Sequence, residues 1–410
     1  MSLVRRTAPL AFVLALAAST SPAHATMGTH PREQVNVPPD ATVTISGHGY
    51  GHGHGMSQYG AEGAARQGLT ALQIMRFYYP HTKPGTAAGP VTVHLTADTD
   101  GDTTIMARDG ASLRDLKAKT TWPLPAKRHG RAVSQWRLDS SPNGTSRARY
   151  LTDAASDQTW HTWRKLAGDG QFNGGSKGLA LVVGSSTVTY RGALQSRHPS
   201  DAAPTARVTV NKLPLDAYLQ GVVPREMPAL WHPAAVRAQA IAARTYAAYE
   251  RTEPISSVYQ ICDTSLCQVY GGKSAEYPTS NDAVAKTAEQ IRTYHDAPAF
   301  TQFSASNGGW STAGSQPYLV AKADPYDGWA GNANHSWTEQ VPAARFAKVW
   351  PRRGRLTGIV VDQRDGNGDF GGRAVRLTLS FANSPDLQLT GEDFRSKLAL
   401  RSTWVDFSIR

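Results

Sequence analysis

Hydrophobic and polar positions alternate over the stretch TVTISGHGY, which begins at Thr42, and this period of two predicts a β-strand that runs into a glycine-rich segment. Beyond that segment the pattern changes to helical spacing. Ser57 is placed to cap a first helix over QYGAEGAARQ, which Gly68 would end. Thr70 and Gln73 form a capping box for a second helix, ALQIMRFYY. The glycine-rich segment is therefore predicted to be a turn between a strand and a helix.

Residues 84–204 are predicted to be rich in β-structure. Stretches such as PVTVHLTA, RARYLTDAA and LALVVGSSTVTYRGAL either alternate or form short apolar runs between clusters of Gly, Asp and Ser. No internal repeat is visible in this region or elsewhere in the chain.

Residues 205–255 carry the strongest helical signal. ARVTVNKLPLDAYLQGVVPREMP predicts a strand and a short helix with a turn at Pro224, and a long helix starts at Pro233, a residue that suits the first helical turn. The apolar stripe of that helix has small side chains, which let another element pack closely. The chain ends in a short helix and a strand. Together these patterns predict an α+β fold, with mixed sheets and a few helices around a substrate groove.

Residues 1–25 have the pattern of a secretory signal peptide. Arg5 and Arg6 precede an apolar run, and Ala23-His24-Ala25 is a small-x-small cleavage site. Residues 26–44, rich in Pro and polar residues, are interpreted as a leader. No later stretch approaches the ~18 uninterrupted apolar residues of a membrane span. The sequence thus predicts a secreted protein whose mature chain has no transmembrane segment.

The chain is basic, with 43 Lys and Arg against 32 Asp and Glu and a formal net charge of +11. Loss of Arg5 and Arg6 with the signal peptide leaves about +9. Outside the cell the available polyanions are wall polymers and membrane head groups, so no nucleic-acid partner is expected. The charge is interpreted either as attraction to an anionic wall or as ordinary solubility charge.

Cys262 and Cys267 are the two cysteines of the chain. In an oxidising compartment a disulfide between them is the first interpretation, although the short loop gives a modest entropic gain. Free thiols and a zinc site remain open. A zinc site needs two more ligands, and the nearest histidines, His232 and His295, do not stand at a recognisable ligand spacing.

Glu226 is the first candidate for chemistry. It stands after the hydrophobic GVV, and apolar neighbours raise the pKa of a carboxyl group, which suits general acid catalysis at neutral pH. A solvated turn glutamate is the alternative.

Ser304, Ser306 and Asn307 precede paired glycines in FTQFSASNGGWS, which is either a ligand-binding loop or a plain turn. The absence of Gly-x-Ser-x-Gly and His-Glu-x-x-His motifs argues against a serine hydrolase and a zinc peptidase.

The glycine-rich segment GHGYGHGHGMSQYG contains His48, His52 and His54. In extended backbone His52 and His54 project to the same face and could chelate a metal. However, the segment has no acidic residue and its glycines make it pliant. No Gly-Lys-Ser/Thr follows, so it is not a phosphate loop. The preferred interpretation is a turn that packs a histidine against a neighbouring site.

Five motifs stand along the chain: GHGHGMSQYGAEGAARQG, GVVPREMPALWHPAAVRAQAIAARTYA, CDTSLCQVYGG, SNGG and LTGEDFRSKLALRSTW. Together they resemble the stage II sporulation protein D family, also called SpoIID/LytB, whose members cleave or help to cleave peptidoglycan. The resemblance implies that residues 205–410 form the main catalytic core and that residues 45–83 contribute its Gly-His motif. Residues 84–204 carry none of these motifs and are interpreted as a β-rich insertion or accessory region.

The order of the motifs departs from the family. The family's Gly-His-Gly-x-Gly-Met-Ser-Gln motif normally comes last, after the LRSTW strand, whereas here it lies near the mature N-terminus. A circular permutation explains this order if the two chain ends meet in the fold. It predicts that residues 404–409 pair beside the strand leading into Gly47.

The resemblance implies that Glu226 is the catalytic acid/base of a lytic transglycosylase. It would protonate the oxygen between N-acetylmuramic acid and N-acetylglucosamine and then assist the C6 hydroxyl to attack C1, which leaves a 1,6-anhydro end. One carboxylate suffices because the nucleophile belongs to the sugar, whereas hydrolysis usually needs a pair. Substrate-binding or supporting roles are expected for Gln239, Arg244, Ser306, Asn307, His52, Ser57 and Gln58.

The implied partners are peptidoglycan glycan strands and, for some functions, a cell-wall amidase. Some family members hold a zinc ion near the cysteines, but ISSVYQICDTSLCQVYGG contains no histidine, so no metal and no other cofactor is expected. The main rival is a non-catalytic peptidoglycan-binding activator of an amidase. A wall-anchored scaffold is a third class, for which no sorting motif, repeat or lipobox cysteine is visible. The expected location is extracellular and associated with the cell wall, in sporulation or in growth.

Overall fold

The computed structural model describes residues 33–154 and 158–410, and the predicted signal peptide lies outside them. The α-helices of the described residues are α1 (Gln58–Arg66), α2 (Ala71–Tyr78), α3 (Leu215–Glu226), α4 (Pro233–Glu250), α5 (Pro278–Lys286), α6 (Ala343–Val349) and α7 (Gly391–Leu398). None of them is long and apolar enough to cross a membrane.

The strands of the described residues are β1 (Glu33–Asn36), β2 (Thr42–His48), β3 (Met56–Ser57), β4 (Lys83–Thr86), β5 (Pro90–His94), β6 (Thr103–Met106), β7 (Ser112–Asp115), β8 (Thr121–Pro123), β9 (Lys127–Arg128), β10 (Arg131–Ser140), β11 (Ser146–Thr152), β12 (His161–Lys165), β13 (Gly170–Asn173), β14 (Leu179–Val183), β15 (Ser186–Tyr190), β16 (Ala193–Arg197), β17 (Val208–Pro214), β18 (Ile261–Cys262), β19 (Gln290–Tyr294), β20 (Ala297–Pro298), β21 (Phe303–Ser304), β22 (Trp310–Ser311), β23 (Lys322–Ala323), β24 (Ser336–Pro342), β25 (Leu356–Arg364), β26 (Ala374–Phe381), β27 (Ser384–Thr390) and β28 (Val405–Ile409). Helices and mixed sheets together confirm the predicted α+β class.

The predicted strand, turn and helix near the N-terminus are present. β2 alternates buried and half-buried residues, as its sequence pattern requires. Ser57 caps α1 by accepting a hydrogen bond from the backbone N–H of Gly60. Thr70 and Gln73 form the predicted capping box at the start of α2. Local sequence signals therefore determine this part of the chain.

Two segments assigned from composition make sheet contacts with the rest of the chain. Residues 33–36, assigned to the leader, form β1, which pairs antiparallel with β25. Residues 84–204, interpreted as an insertion or accessory region, are rich in strands. Their strands β5 and β16 flank β17 in one sheet, of order β18-β5-β17-β16-β13-β7-β8. Strand partners are set by tertiary hydrogen bonds, which composition does not reveal.

The two ends of the described chain meet in a three-stranded sheet of order β24-β2-β28. β2 pairs antiparallel with β28, and Gly47 lies opposite Val405. This confirms the predicted pairing of the C-terminal strand beside the strand leading into Gly47. The circular permutation that motivated the expectation stays a prediction.

The helix α3 does not turn at Pro224, contrary to the sequence prediction, but continues to Glu226. A proline in a helix lacks the N–H that would bond to the carbonyl four residues earlier. Here the neighbouring Leu219, Val222 and Val223 are buried, so packing holds the last turn in place. This continuation decides where the carboxylate of Glu226 lies.

The helix α4 starts at Pro233 as predicted, but it is buried on nearly all sides rather than along one stripe. Its many alanines let α1, α2, α3, α5 and β19 pack around it. α4 is therefore the centre of one hydrophobic cluster, which extends into the β-rich region. A second cluster lies between β2, β24 to β28, α6 and α7.

Candidate functional site

Glu226 is the last residue of α3, so its carboxylate lies at the C-terminal end of a helix. α3 follows β17 directly and buries Tyr218, Leu219 and Val222, which fixes the direction of its last turn. Oε1 of Glu226 accepts a hydrogen bond of 2.7 Å from the backbone N–H of Val269. The carboxylate is thus positioned by a buried helix on one side and by a loop backbone on the other.

Burial raises the pKa of Glu226 above its ordinary value, because the charged form is desolvated. Hydrogen bonds from Val269 and from the Gln58 side chain, and the charge of Arg225, lower this pKa, but burial outweighs them. The helix C-terminus acts in the same direction as burial, since its carbonyl groups carry partial negative charge. Glu226 therefore keeps its proton to a higher pH than a solvated glutamate, as a general acid requires.

Glu226 opens onto a cavity of about 170 Å³. The other residues that line it are His52, Tyr246, Ser265, Leu266, Cys267, Gln302 and Phe303. The structure therefore brings three of the sequence-predicted residues together: Glu226, His52 and Cys267. Among the described residues that line this cavity, Glu226 is the only carboxylate and no Lys or Arg is present.

The ring of His52 is neutral at physiological pH. Burial, with the neighbouring His54, lowers the pKa of His52 to about 3. Nδ1 of His52 accepts a hydrogen bond of 3.0 Å from the backbone N–H of His54, and the two rings stack. The glycine-rich segment thus supplies a neutral histidine to the cavity that Glu226 lines.

Gln58 and Gln239 form a chain of side-chain contacts that ends at Glu226. Gln58, at the start of α1, hydrogen-bonds the Glu226 side chain. Its Nε2 lies 3.5 Å from Oε1 of Gln239, which is fully buried on α4. Gln58 is therefore a direct partner of the carboxylate, and Gln239 is in turn a partner of Gln58.

A disulfide joins Cys262 and Cys267, the first of the three interpretations that the sequence left open. β18, which ends at Cys262, is anchored by parallel pairing with β5. The closed loop supplies Ser265 and Leu266 to the cavity wall. Two residues beyond Cys267, Val269 holds Glu226. Among the described residues, no group of three or more His, Cys, Asp or Glu side chains is arranged to hold a metal ion.

Ser57, Ser306 and Asn307 surround a different buried carboxylate, that of Asp327. The hydroxyls of Ser57 and Ser306 donate to it at 2.6 and 2.9 Å, and the backbone N–H of Asn307 donates at 3.3 Å. These three residues do not line the Glu226 cavity. Through Asp327 they join the start of α1 to the SNGG loop.

Arg244 lies away from the cavity, although the sequence placed it among the supporting residues. Its guanidinium is fully buried and bonds to Asp216 at 2.6 Å and to the backbone carbonyls of Val284 and Gln290. Arg244 therefore ties α4 to α3, α5 and the start of β19. Its geometry is that of a structural residue.

Sequence reasoning did not name Tyr246, Gln302, Phe303 or Asp327. Gln302 and Phe303 stand beside the predicted loop residues, and Phe303 pairs in parallel with Met56, which brings this loop to the glycine-rich segment. No local signal marks that pairing or the role of Asp327. From its helical spacing on α4, Tyr246 is predicted to be a core residue and not a cavity residue.

Comparison with known proteins finds a family domain in this part of the chain. Residues 205–294 match the family model described as SpoIID, Stage II sporulation protein. The matched range contains α3, α4, the disulfide loop and Glu226.

Three curated relatives are similar to this chain. The amidase enhancer of Bacillus subtilis is 38% identical over 120 residues, which are 27% of this chain and 16% of that protein. Stage II sporulation protein D of Bacillus subtilis is 30% identical over 223 residues, and that of Bacillus amyloliquefaciens 30% over 217; each alignment covers 48% of this chain and 61% of the relative. The chain thus spans less than two thirds of these relatives. The chain thus carries a SpoIID domain over residues 205–294 and is similar to proteins named stage II sporulation protein D and amidase enhancer.

Proposed function

We propose that this protein is a secreted lytic transglycosylase that cleaves peptidoglycan between N-acetylmuramic acid and N-acetylglucosamine. The SpoIID domain and the name of the relative called amidase enhancer support a cell-wall-related role. One observation carries the finer proposal: Glu226 is a single carboxylate of raised pKa in a small cavity beside a neutral histidine.

The proposed reaction uses one carboxyl group twice. Protonated Glu226 donates its proton to the glycosidic oxygen as the bond from C1 of N-acetylmuramic acid to that oxygen breaks. The C6 hydroxyl of the same sugar then attacks C1, and the Glu226 carboxylate takes its proton. The products are a free hydroxyl on N-acetylglucosamine and a 1,6-anhydro end, and Glu226 is protonated again. No water is consumed, so a second carboxylate is not required.

The surroundings of Glu226 fit this cycle. Positive charge develops at C1 as the bond breaks, and a neutral His52 does not oppose it, whereas a protonated histidine would. Val269 and Gln58 donate hydrogen bonds to the carboxylate form, which supports the second half of the cycle. Burial thus favours the protonated form of Glu226, and these two donors favour the carboxylate.

The charge of the chain suggests how the enzyme stays near its substrate. An excess of Lys and Arg attracts it to an anionic wall outside the cell. Such attraction is screened by salt, so retention on isolated walls should weaken as salt is raised. Salt-independent retention would contradict this role of the charge.

The second candidate is a non-catalytic activator of a cell-wall amidase, favoured by the relative named amidase enhancer. Both candidates bind glycan, but only the enzyme needs a protonated Glu226. Product analysis therefore separates them.

The test compares residues 26–410 with a Glu226→Gln variant of the same length. Each is incubated with intact and with peptide-stripped glycan strands, and the products are identified by mass spectrometry. We expect 1,6-anhydro fragments from the parent protein and at least a thousandfold fewer from the variant. Binding by both proteins without fragments would favour the activator.

A further inference from the structure

A second cavity lies at the other end of the glycine-rich segment. It has a volume of about 400 Å³, and His48, Trp310, His335, Asp369 and Trp404 are among the residues that line it. Its size falls within the range of small-molecule sites. The motif residues His48, Trp404 and the paired glycines of SNGG therefore gather here and not around Glu226.

A buried carboxylate orients His335 at this cavity. Nδ1 of His335 donates to Oδ2 of Asp327 at 2.9 Å, and Asp327 is itself fully buried. This hydrogen bond raises the pKa of His335. The side chain is 36% exposed, and with the Nδ1 proton directed at Asp327, Nε2 accepts a hydrogen bond when the ring is neutral and donates one when it is protonated.

His48 lies next to His335, and their ring centroids are 6.1 Å apart. Its Nδ1 donates to the backbone carbonyl of His335 at 3.1 Å, and its ring packs on Trp404 with centroids 4.8 Å apart. Nε2 of His48 lies 3.6 Å from the Asp369 carboxylate. The indole N–H of Trp404 donates to the carbonyl of Asp369, which fixes that turn. The polar groups of the cavity are thus positioned by contacts with one another and by the hydrogen bond from His335 to Asp327.

Two glycines keep the rings accessible. A Cβ at Gly328 would lie 3.1 Å from Cε1 and Nε2 of His335, and a Cβ at Gly368 would lie 2.5 Å from the ring of Trp404. Any larger residue at either position would crowd the cavity. The space beside the rings of His335 and Trp404 therefore depends on glycine at positions 328 and 368.

The side chains that line the second cavity indicate the class of ligand. The carboxylates of Asp324 and Asp369, the ring nitrogens of His48 and His335 and the half-buried ring of Trp310 line the cavity. No Lys or Arg is among the residues that line it, so a simple anion is not favoured. A neutral ring compound with many hydroxyl groups satisfies donors and acceptors together and lays its apolar face on an indole.

The two cavities are close enough to serve one chain of sugars. His48 borders the second cavity and His52 the Glu226 cavity, and four residues of extended chain span at most about 14 Å. The segment from Gln302 to Trp310 likewise borders both. We propose that the second cavity is a saccharide-binding site that holds an uncharged part of a glycan strand while another part of the strand lies at Glu226. This inference rests on the proposed function.

The test measures binding separately from cleavage. Calorimetric titration of a long β-1,4-linked N-acetylglucosamine oligomer into the Glu226→Gln protein gives the reference affinity. We expect Trp310→Ala, added to that protein, to weaken binding about three- to tenfold, the range of an aromatic contact, and Trp310→Phe to restore most of it. Gly328→Ala should weaken binding similarly by crowding His335. Trp160→Ala, which removes a ring stacked on Arg137 in the β-rich region, is the matched control and should have no effect.

Melting temperatures of all variants verify that each one is folded. Unchanged affinity in both the Trp310→Ala and Gly328→Ala proteins would overturn the second site and leave the transglycosylase proposal standing. Absence of anhydro products from the parent protein would overturn the transglycosylase and leave the titration to decide the second site. Weaker binding in Trp310→Ala with recovery in Trp310→Phe supports the site.

Discussion

Glu226 and Asp327 are two buried or half-buried carboxylates beside the same glycine-rich segment, and their surroundings differ. Glu226 receives one backbone N–H and one side-chain donor. The donors to Asp327 are the side chains of Ser57, Ser306, Asn332 and His335 and the backbone N–H of Asn307. A carboxylate surrounded by donors anchors structure, whereas one with few donors remains available to a substrate.

The largest expected effect is the loss in the free energy of unfolding when Asp327 is replaced. Asp327→Asn replaces an acceptor oxygen by a donor in a fully satisfied buried network, so we expect a loss of about 3 kcal/mol in the free energy of unfolding. Urea denaturation measures it. Asp369→Asn is the control, because that side chain is 76% exposed, and should change stability by less than ~0.5 kcal/mol. Equal losses in the two variants would break the comparison.

The next effect concerns the loop that holds Glu226. Replacing Cys262 and Cys267 together by serine removes the cross-link of the cavity wall, and we expect a loss of about 2 kcal/mol for a loop of this length. Activity on glycan strands should fall as well, because Ser265 and Leu266 lose their fixed position. A dithiol reductant should reproduce both changes in the parent protein and leave the double variant unaffected. A parent protein insensitive to reduction would contradict this role of the disulfide.

A smaller effect is expected on the pH dependence of cleavage. Gln58→Leu removes a donor that favours the charged form of Glu226, so the pKa of Glu226 should rise further. The general acid is lost as pH rises through this pKa, so the alkaline limb of kcat/KM should move to higher pH. Gln67→Leu, an exposed position at the end of α1, is the control. An alkaline limb that moves down or not at all would show that Gln58 does not act on the carboxylate.

The smallest effect is a change in thermal stability at Glu226 itself. Because its folded pKa is raised, the folded state binds more protons than the unfolded state between the ordinary value of 4.5 and the folded pKa. Stability is therefore lost as pH rises through that window. Glu226→Gln lacks this loss, so its Tm should equal that of the parent below the window and exceed it by a few degrees at neutral pH. A variant with lower Tm at neutral pH would contradict the raised pKa.

Much of the fold was predictable because it depends on neighbours in the chain. The caps at Ser57 and Thr70, the proline start of α4 and the alternation of β2 each involve residues a few positions apart. The turn expected at Pro224 failed for the opposite reason, since burial of α3 outweighs the local preference of proline. Glu226 itself was found from its apolar neighbours and the family motifs.

The sequence by itself determined the α+β class, the candidate acid Glu226, the pairing of the two cysteines as the first interpretation and the meeting of the chain ends. Only the tertiary structure decided which residues share a cavity. It brought His52 and Cys267 to Glu226, moved Arg244 into a structural role and revealed Asp327 as the anchor beneath a second cavity. The physical reason is that burial and hydrogen-bond partners come from segments far apart in the chain, 270 residues for Ser57 and Asp327, and no local pattern records them.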